Sequence, residues 1–443
     1  MLGRTSKQFA FDRHDGIRQW GTYIATFTAV IIAVGLIAPR TFTFSYPLLA
    51  ASFLAFGLVG GRSVGSSPEA RAALWSLVAF FGYSALSALW SVAPGLAIEK
   101  SLVTGAVAVT STLCAWQILQ AKPADARRFG NALLIAGLIG ITYLAFEKVT
   151  EEALQISLFN AMGLDASSFP NRYASLQAGR VVAMDPAWIN KNLIVAVVLL
   201  APIIVAALSY TSRRYSYVLA AVIYIFATIA IFKSGSETAQ LALVTTSSVA
   251  ALALLSGKWT FRLLAVSWIL ACTIVVPLTL AVYDANWHKS PWIAEHMNRA
   301  SGKERIGILR QYAIRVPEAP ILGHGANSTR IIGPAVDNET PWEVRLQKGE
   351  WMAQHPHNAY MQIWFDLGAV GAALFMVAGL LVLRSFRNLD PTERSVAYAT
   401  FAAFATVIAP SYGIWQYWQV CLFGLTGIAL AIAIGAMRVR NRT

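Results

Sequence analysis

Five of the six histidines, His288, His296, His324, His355 and His357, lie in one polar stretch, roughly 283–356, or where it meets the next apolar run. Imidazole is the side chain that titrates near neutrality, so this clustering marks the stretch as a candidate for general acid–base work. His357 stands out within His355-Pro356-His357-Asn358. The proline presets a helix start and puts the imidazole at the aqueous boundary of an apolar helix. At 100° per residue, Gly368 and Gly371 fall about 20° and 40° from its stripe. Glycines there admit a close neighbouring helix, which turns His357 toward the protein interior. The alternative is a headgroup-level histidine above a packing seam.

Asp366 is the one acidic residue deep in an apolar run, and an intramembrane carboxylate is a functional candidate by default. It lies about 13 Å along the helix from His357 and about 180° around it, so it is expected to hydrogen-bond another span and not to orient that imidazole. Arg172, Arg180, Lys191, Lys233, Arg305, Arg310 and Arg315 are basic residues of the polar stretches and span ends, and an arginine fork grips phosphate oxygens in a bidentate manner. The alternative is that long loops carry whatever charge they happen to have. A metal site is not expected: His355 and His357 are two residues apart, without the i, i+4 spacing of a helical zinc pair, and Asp337, Glu339, Glu343 and Glu350 lack ligand spacing. No Ser-His-Asp set, P-loop, GxGxxG or Asp-rich diphosphate clamp is present.

The elements that must position these residues follow from composition. The chain has 443 residues, 56% of them hydrophobic and only 13% charged, with a mean hydropathy of +0.55. That describes an all-α polytopic membrane protein. Apolar runs long enough to cross about 30 Å of hydrocarbon fall at 21–38, 44–61, 73–91, 101–119, 129–147, 189–208, 216–232, 237–256, 261–282, 357–383, 395–413 and 415–436. The first of these twelve is read as a retained anchor and not a cleaved signal. Cys114, Cys272 and Cys421 sit singly inside such runs and are expected to be packing or lipid-facing residues.

Charge sets the orientation. Nineteen Lys and Arg residues occupy one set of termini and connections, whereas the short connections on the other side hold only Arg40, Lys100 and Lys233. The asymmetry predicts both termini in the cytoplasm and an even number of spans. It also accounts for the net charge of +13 without a nucleic-acid partner. The whole of 1–443 reads as one transmembrane domain with two external segments, 148–188 and 283–356. The second contains a helix-like stretch from Gly302 to Val316, with Ile306, Leu309, Ala313 and Val316 at helical spacing, and caps the bundle.

His357-Asn358, nine residues, then Gly368-Ala369-Val370-Gly371 resembles the H-[NSQ]-x9-G-x-x-G signature of the O-antigen ligase and polymerase superfamily. Ser301-Gly302-Lys303-Glu304-Arg305 and Pro320-Ile321-Leu322-Gly323-His324-Gly325 also resemble family patterns, as does Gly179-Arg180 followed by Asn190 and Asn192. The resemblance extends over nearly the whole chain, while the motif match is confined to these segments. One departure is Lys233-Ser234-Gly235-Ser236-Glu237, where Glu237 replaces the arginine of a Ser-Arg pair.

The late position of the long loop is most similar to the ligases. The resemblance implies transfer of glycan from undecaprenyl diphosphate to a sugar hydroxyl of lipid A-core, in the bacterial inner membrane with the site facing the periplasm. It implies an inverting, metal-independent displacement without cofactor, with His357 as general base and Asn358, Gly368, Gly371, Gly323 and Gly325 as motif support. Arg305 and Arg180 would bind the diphosphate, with Lys191 and Lys233 as further cations. A polymerase of the same superfamily is the first alternative. A secondary transporter, which also fits twelve spans, is the second.

Overall fold

A computed structural model of the chain describes residues 5–60, 67–163, 174–185, 187–210, 213–287, 290–291, 301–339, 352–410 and 412–442. His288, His296, Arg172, Glu343 and Glu350 lie outside these residues, and the side chains of Lys303, Glu304 and Glu339 are not described.

The chain folds as a helical bundle: α1 (Thr5–Ile37), α2 (Phe42–Val59), α3 (Pro68–Leu86), α4 (Pro94–Leu119), α5 (Pro123–Val149), the short α6 (Ala153–Ala161), α7 (Asn190–Leu208), α8 (Arg213–Phe232), α9 (Glu237–Leu255) and α10 (Gly257–Asp284). Then come α11 (Ser301–Ala313), α12 (Thr329–Glu339), α13 (Ala359–Ser385), α14 (Pro391–Ile408) and α15 (Tyr417–Arg442). Proline opens α3, α4, α5 and α14, where its missing N–H is no loss and its fixed φ suits the first turn. The expected helix at Gly302–Val316 is present in part as α11, which ends at Ala313; Val316 opens a separate 3-10 turn, Val316–Glu318. The segment between α6 and α7 adds a hairpin that hydropathy did not reveal, β1 (Ala174–Gln177) antiparallel to β2 (Arg180–Met184).

Among the described residues, eleven helices are long and apolar enough to span a membrane. The remaining expected run, 395–413, corresponds to α14, which stops at Ile408 and is absent from the apolar set. It packs along α9 and α7 and is largely buried. Packed against protein, its Ser, Thr and Tyr side chains can find hydrogen-bond partners that lipid does not offer. The centre of the bundle is α7 and α15, apolar on every side and almost wholly buried, as expected of helices with no solvent- or lipid-facing stripe. By contrast, α10 leaves most of its surface exposed, which suits contact with lipid. All three cysteines are buried and free.

Candidate functional site

The motif residues meet at a break in α13. Gly368 has φ 63° and ψ −163°, which no helix allows. The break leaves backbone groups unpaired in the bundle interior, and the segment Pro320–Gly325 supplies their partners. His324 N and Gly325 N donate to the carbonyls of Phe365 and Asp366 at 3.1 and 2.7 Å, while Ala369 N and Val370 N donate to those of Pro320 and Ile321 at 2.9 and 3.2 Å. Two sequence-distant motifs are thus one backbone joint. From the end of α3, Tyr83 Oη donates to the carbonyls of Leu322 and Leu367 at 3.1 and 3.2 Å.

This joint corrects the expected geometry. Gly368 and Gly371 cannot be counted at 100° from His357, because the helix does not run continuously through Gly368. Gly368 serves the loop contact and not a neighbouring helix, while a Cβ at Gly371 would meet the side chain of Leu367 on its own helix. A Cβ at Gly368 would lie 2.4 Å from the Ile321 carbonyl oxygen, and one at Gly323 (φ 71°) would lie 2.4 Å from that of Asp366. Gly368→Ala should therefore lower stability in detergent by at least about 2 kcal/mol more than Gly179→Ala. Gly179 also has positive φ, but a Cβ there meets open space. Equal thermal shifts for the two variants would reject the joint.

His357 does not start the helix either. It has φ 54°, and α13 begins at Ala359 with Asn358 as N-cap, its Oδ1 accepting from Met361 N at 2.9 Å. The asparagine beside the histidine is explained by this cap. Half-buried His357 donates its N–H to His355 Nδ1 at 3.3 Å, and the two rings lie 4.2 Å apart. The segment leading into the pair is pinned by Asp337, whose carboxylate accepts from Met352 N and Ala353 N at 2.7 and 3.0 Å, and by Tyr312 Oη donating to the Ala353 carbonyl.

His355 of this pair lines a polar cleft of about 410 Å³, and His357 stands behind it, outside the lining. Arg40, from the turn between α1 and α2, forms one part of its lining, Lys100 of α4 another, and Asn327 and Arg330 at the start of α12 a third. His355, Gln362 of α13, and Trp415, Gln416 and Tyr417 leading into α15 complete most of the rest. Two side chains one turn apart on α13 hold these walls together. Asp366, fully buried, accepts from Trp415 Nε1 (2.8 Å), Ser328 Oγ (2.8 Å), Asn327 N (3.2 Å) and Thr329 N (3.2 Å). Gln362 donates to Thr329 Oγ1 and accepts from Ile414 N, both at 3.0 Å. Asp366 is thus a structural hydrogen-bonding hub, and its partners lie at the start of α12 and in the segment leading into α15, not in the body of another span.

The cleft is cationic. Lys100 pairs with Glu99 at 3.3 Å and lies over the Tyr417 ring, but Arg40 and Arg330 have no carboxylate partner among the described residues. Arg305 donates to the Pro410 carbonyl at 3.0 Å and acts electrostatically on His355. Lys191 lies over the Tyr412 ring at 5.3 Å, within the field of Arg40. Burial, then the nearby Arg305 and Arg330, push the His355 imidazole down to about 4.

His355 is accordingly held neutral while the unfolded chain protonates nearer 6.5. Its contribution to stability is complete above pH 6.5 and is lost as pH falls toward 4. Between pH 6.5 and 4.5 the melting temperature of the wild type should fall more than that of His355→Gln, and parallel curves would contradict this.

The other sequence candidates are placed elsewhere. Arg180 is exposed at the hairpin turn and Lys233 at the α8–α9 turn; neither lines the cleft. Arg310 stacks on Tyr283 at 4.3 Å, and Arg315, just past the end of α11, donates back to Gln311 of that helix. Asn192 donates to the carbonyls of Leu36 and Ile37 at the end of α1. Among the described residues, no three of His, Cys, Asp and Glu converge as a metal site would require. Sequence reading missed Arg40, Lys100, Arg330, Gln362 and Trp415. The only signal was that Arg40 and Lys100 stand on the basic-poor side.

Comparison with known proteins points the same way. Residues 221–376 match the family model described as O-antigen ligase, a stretch that includes both halves of the glycine joint and the His-Asn pair. Proteins named "Putative polysaccharide ligase" are similar in Rickettsia conorii (29% identical over 161 residues, 36% of this chain and 38% of the relative) and in Rickettsia typhi (29% over 182 residues, 41% and 42%). The match spans about two fifths of the length of these relatives.

Proposed function

We propose that this chain, which resembles the O-antigen ligase family and matches its model over residues 221–376, transfers a glycan from a polyprenyl diphosphate carrier to a sugar hydroxyl of a lipid-anchored acceptor. The acceptor we assign is lipid A-core, and the donor undecaprenyl diphosphate. The observation that carries the reading is the cationic cleft lined by His355, whose ring lies 4.2 Å from that of His357. Unpartnered guanidinium groups concentrate an anion at one end of a bundle that is otherwise apolar, and a base stands beside them.

In the reaction, His357 takes the proton of the acceptor hydroxyl as its oxygen attacks the anomeric carbon. The bond from that carbon to the diphosphate oxygen breaks, with its electron pair leaving on the diphosphate. Arg40, Lys100, Arg330 and Arg305 neutralise that growing charge. A single displacement inverts the anomeric configuration. Arg180 and Lys233, exposed and outside the cleft, have no part in this scheme. By the distribution of basic residues, both termini face the cytoplasm and the cleft faces the periplasm.

Purified protein with lipid-linked glycan and lipid A-core in detergent should form the conjugate with no ion gradient. A strict need for sealed vesicles would favour transport instead. A product extended only on a second carrier lipid would favour a polymerase. Transfer should persist in EDTA, since arginines and a lysine supply the positive charge a metal otherwise would. Loss restored by Mg²⁺ or Mn²⁺ would contradict the metal-free scheme.

A further inference from the structure

At the end of the bundle opposite the cleft, α5, α7 and α15 enclose a small notch of about 40 Å³. Its floor consists of small residues, Gly130, Ala206 and Ala436, where α5 and α15 approach so closely that a Cβ on Gly130 would lie 2.6 Å from that of Ala436. Its rim carries Arg127 and Asn131 of α5 and Arg440 of α15. The space is roughly three times what one water occupies on the same measure, about the size of a phosphate group.

Arg127 is the telling residue. Two of its neighbours at this end are neutralised: Arg128 pairs with Asp125 at 2.8 Å, and Arg438 makes a two-pronged contact with Glu393 at 2.8 and 2.9 Å. Arg127 has no partner among the described residues. It also stands in the opening turns of α5, where the helix dipole disfavours a cation, so helix capping does not explain it. Below the notch, the outer face of α5 continues from exposed Asn131 through Ile135 and Ile139 to Phe146, with exposures of 50, 52 and 47% for the three apolar residues. These positions recur at helical spacing and make an apolar track along the bilayer-facing side.

We propose that this notch binds the phosphate of an anionic phospholipid in the leaflet opposite the cleft. Arg127 and Arg440 would hold the phosphate oxygens, Asn131 would donate its amide, and an acyl chain would run along Ile135 and Ile139. Basic pockets between spanning helices suit such headgroups, and the apolar track distinguishes a lipid from a free anion.

The test uses the full chain in detergent, with retention of dioleoyl phosphatidylglycerol read by native mass spectrometry. The wild type should retain one more tightly held lipid than Arg127→Ala/Arg440→Ala, whose affinity at this site should be roughly 30-fold weaker, as loss of two basic side chains at a membrane surface implies. Arg127→Gln alone, an exposed change with no expected effect on folding, should weaken it by about 5-fold. Dioleoyl phosphatidylcholine should compete poorly, and millimolar inorganic phosphate should not displace the bound lipid. Equal retention by wild type and both variants overturns the proposal. Displacement by inorganic phosphate overturns it too, by showing a site for a free anion.

Discussion

His357→Ala should lower the rate of glycan transfer by at least about 100-fold, the usual scale of a positioned general base, while the protein still elutes as a folded species. The left-handed backbone at this residue (φ 54°) complicates the alanine result, since a β-carbon there already costs about 1 kcal/mol or more. Asparagine tolerates that conformation better than alanine and cannot act as a base at neutral pH. His357→Asn should therefore keep wild-type thermal stability yet be as inactive as His357→Ala. Activity retained by the asparagine variant would remove His357 from the chemistry and leave it a conformational part. His355→Ala should be milder, because an imidazole pushed down to about 4 is a weak base at neutral pH. Its contact with the His357 N–H makes it a positioning residue.

Arg305→Ala should cost about 100- to 1,000-fold, the scale for losing a donor aimed at developing negative charge. Arg305, outside the cleft lining, is bonded to the Pro410 carbonyl and acts electrostatically on His355, which does line it. Arg305→Lys should recover part of the loss if neutralisation dominates, and little if the planar fork is needed. Arg310 of the same helix and Arg315 just beyond its end provide the controls. Arg310 is stacked on Tyr283 and Arg315 is bonded to Gln311, so alanine at Arg310 should be nearly silent, and at Arg315 intermediate at most. The measurement is initial transfer rate at saturating donor. If Arg310→Ala is as damaging as Arg305→Ala, the loop is a diffuse basic surface and the assignment of Arg305 fails.

The sequence by itself determined the class of molecule and the order of its helices. Apolar runs of membrane-spanning length can satisfy their backbone in lipid only as helices, so most helices stand where hydropathy put them, as does α11. It also singled out His357, Asn358, Gly368 and Gly323, because each residue type answers a local demand: a titrating ring, an N-cap, a backbone with positive φ. What those demands were for was decided by tertiary structure. Helical counting assumed a continuous α13, but Gly368 breaks it, and the break is stable only because Pro320–Gly325 pairs with the freed backbone groups. Nothing at 320–325 alone announces a partner more than forty residues away. The cleft was equally illegible. Arg40, Lys100 and Arg330 come from the α1–α2 turn, α4 and α12, and a cation's sequence position says nothing of which other cations it will face. Arg180 and Lys233 were singled out by the same rule and lie exposed elsewhere, since a loop's charge acquires a role only through the packing that surrounds it.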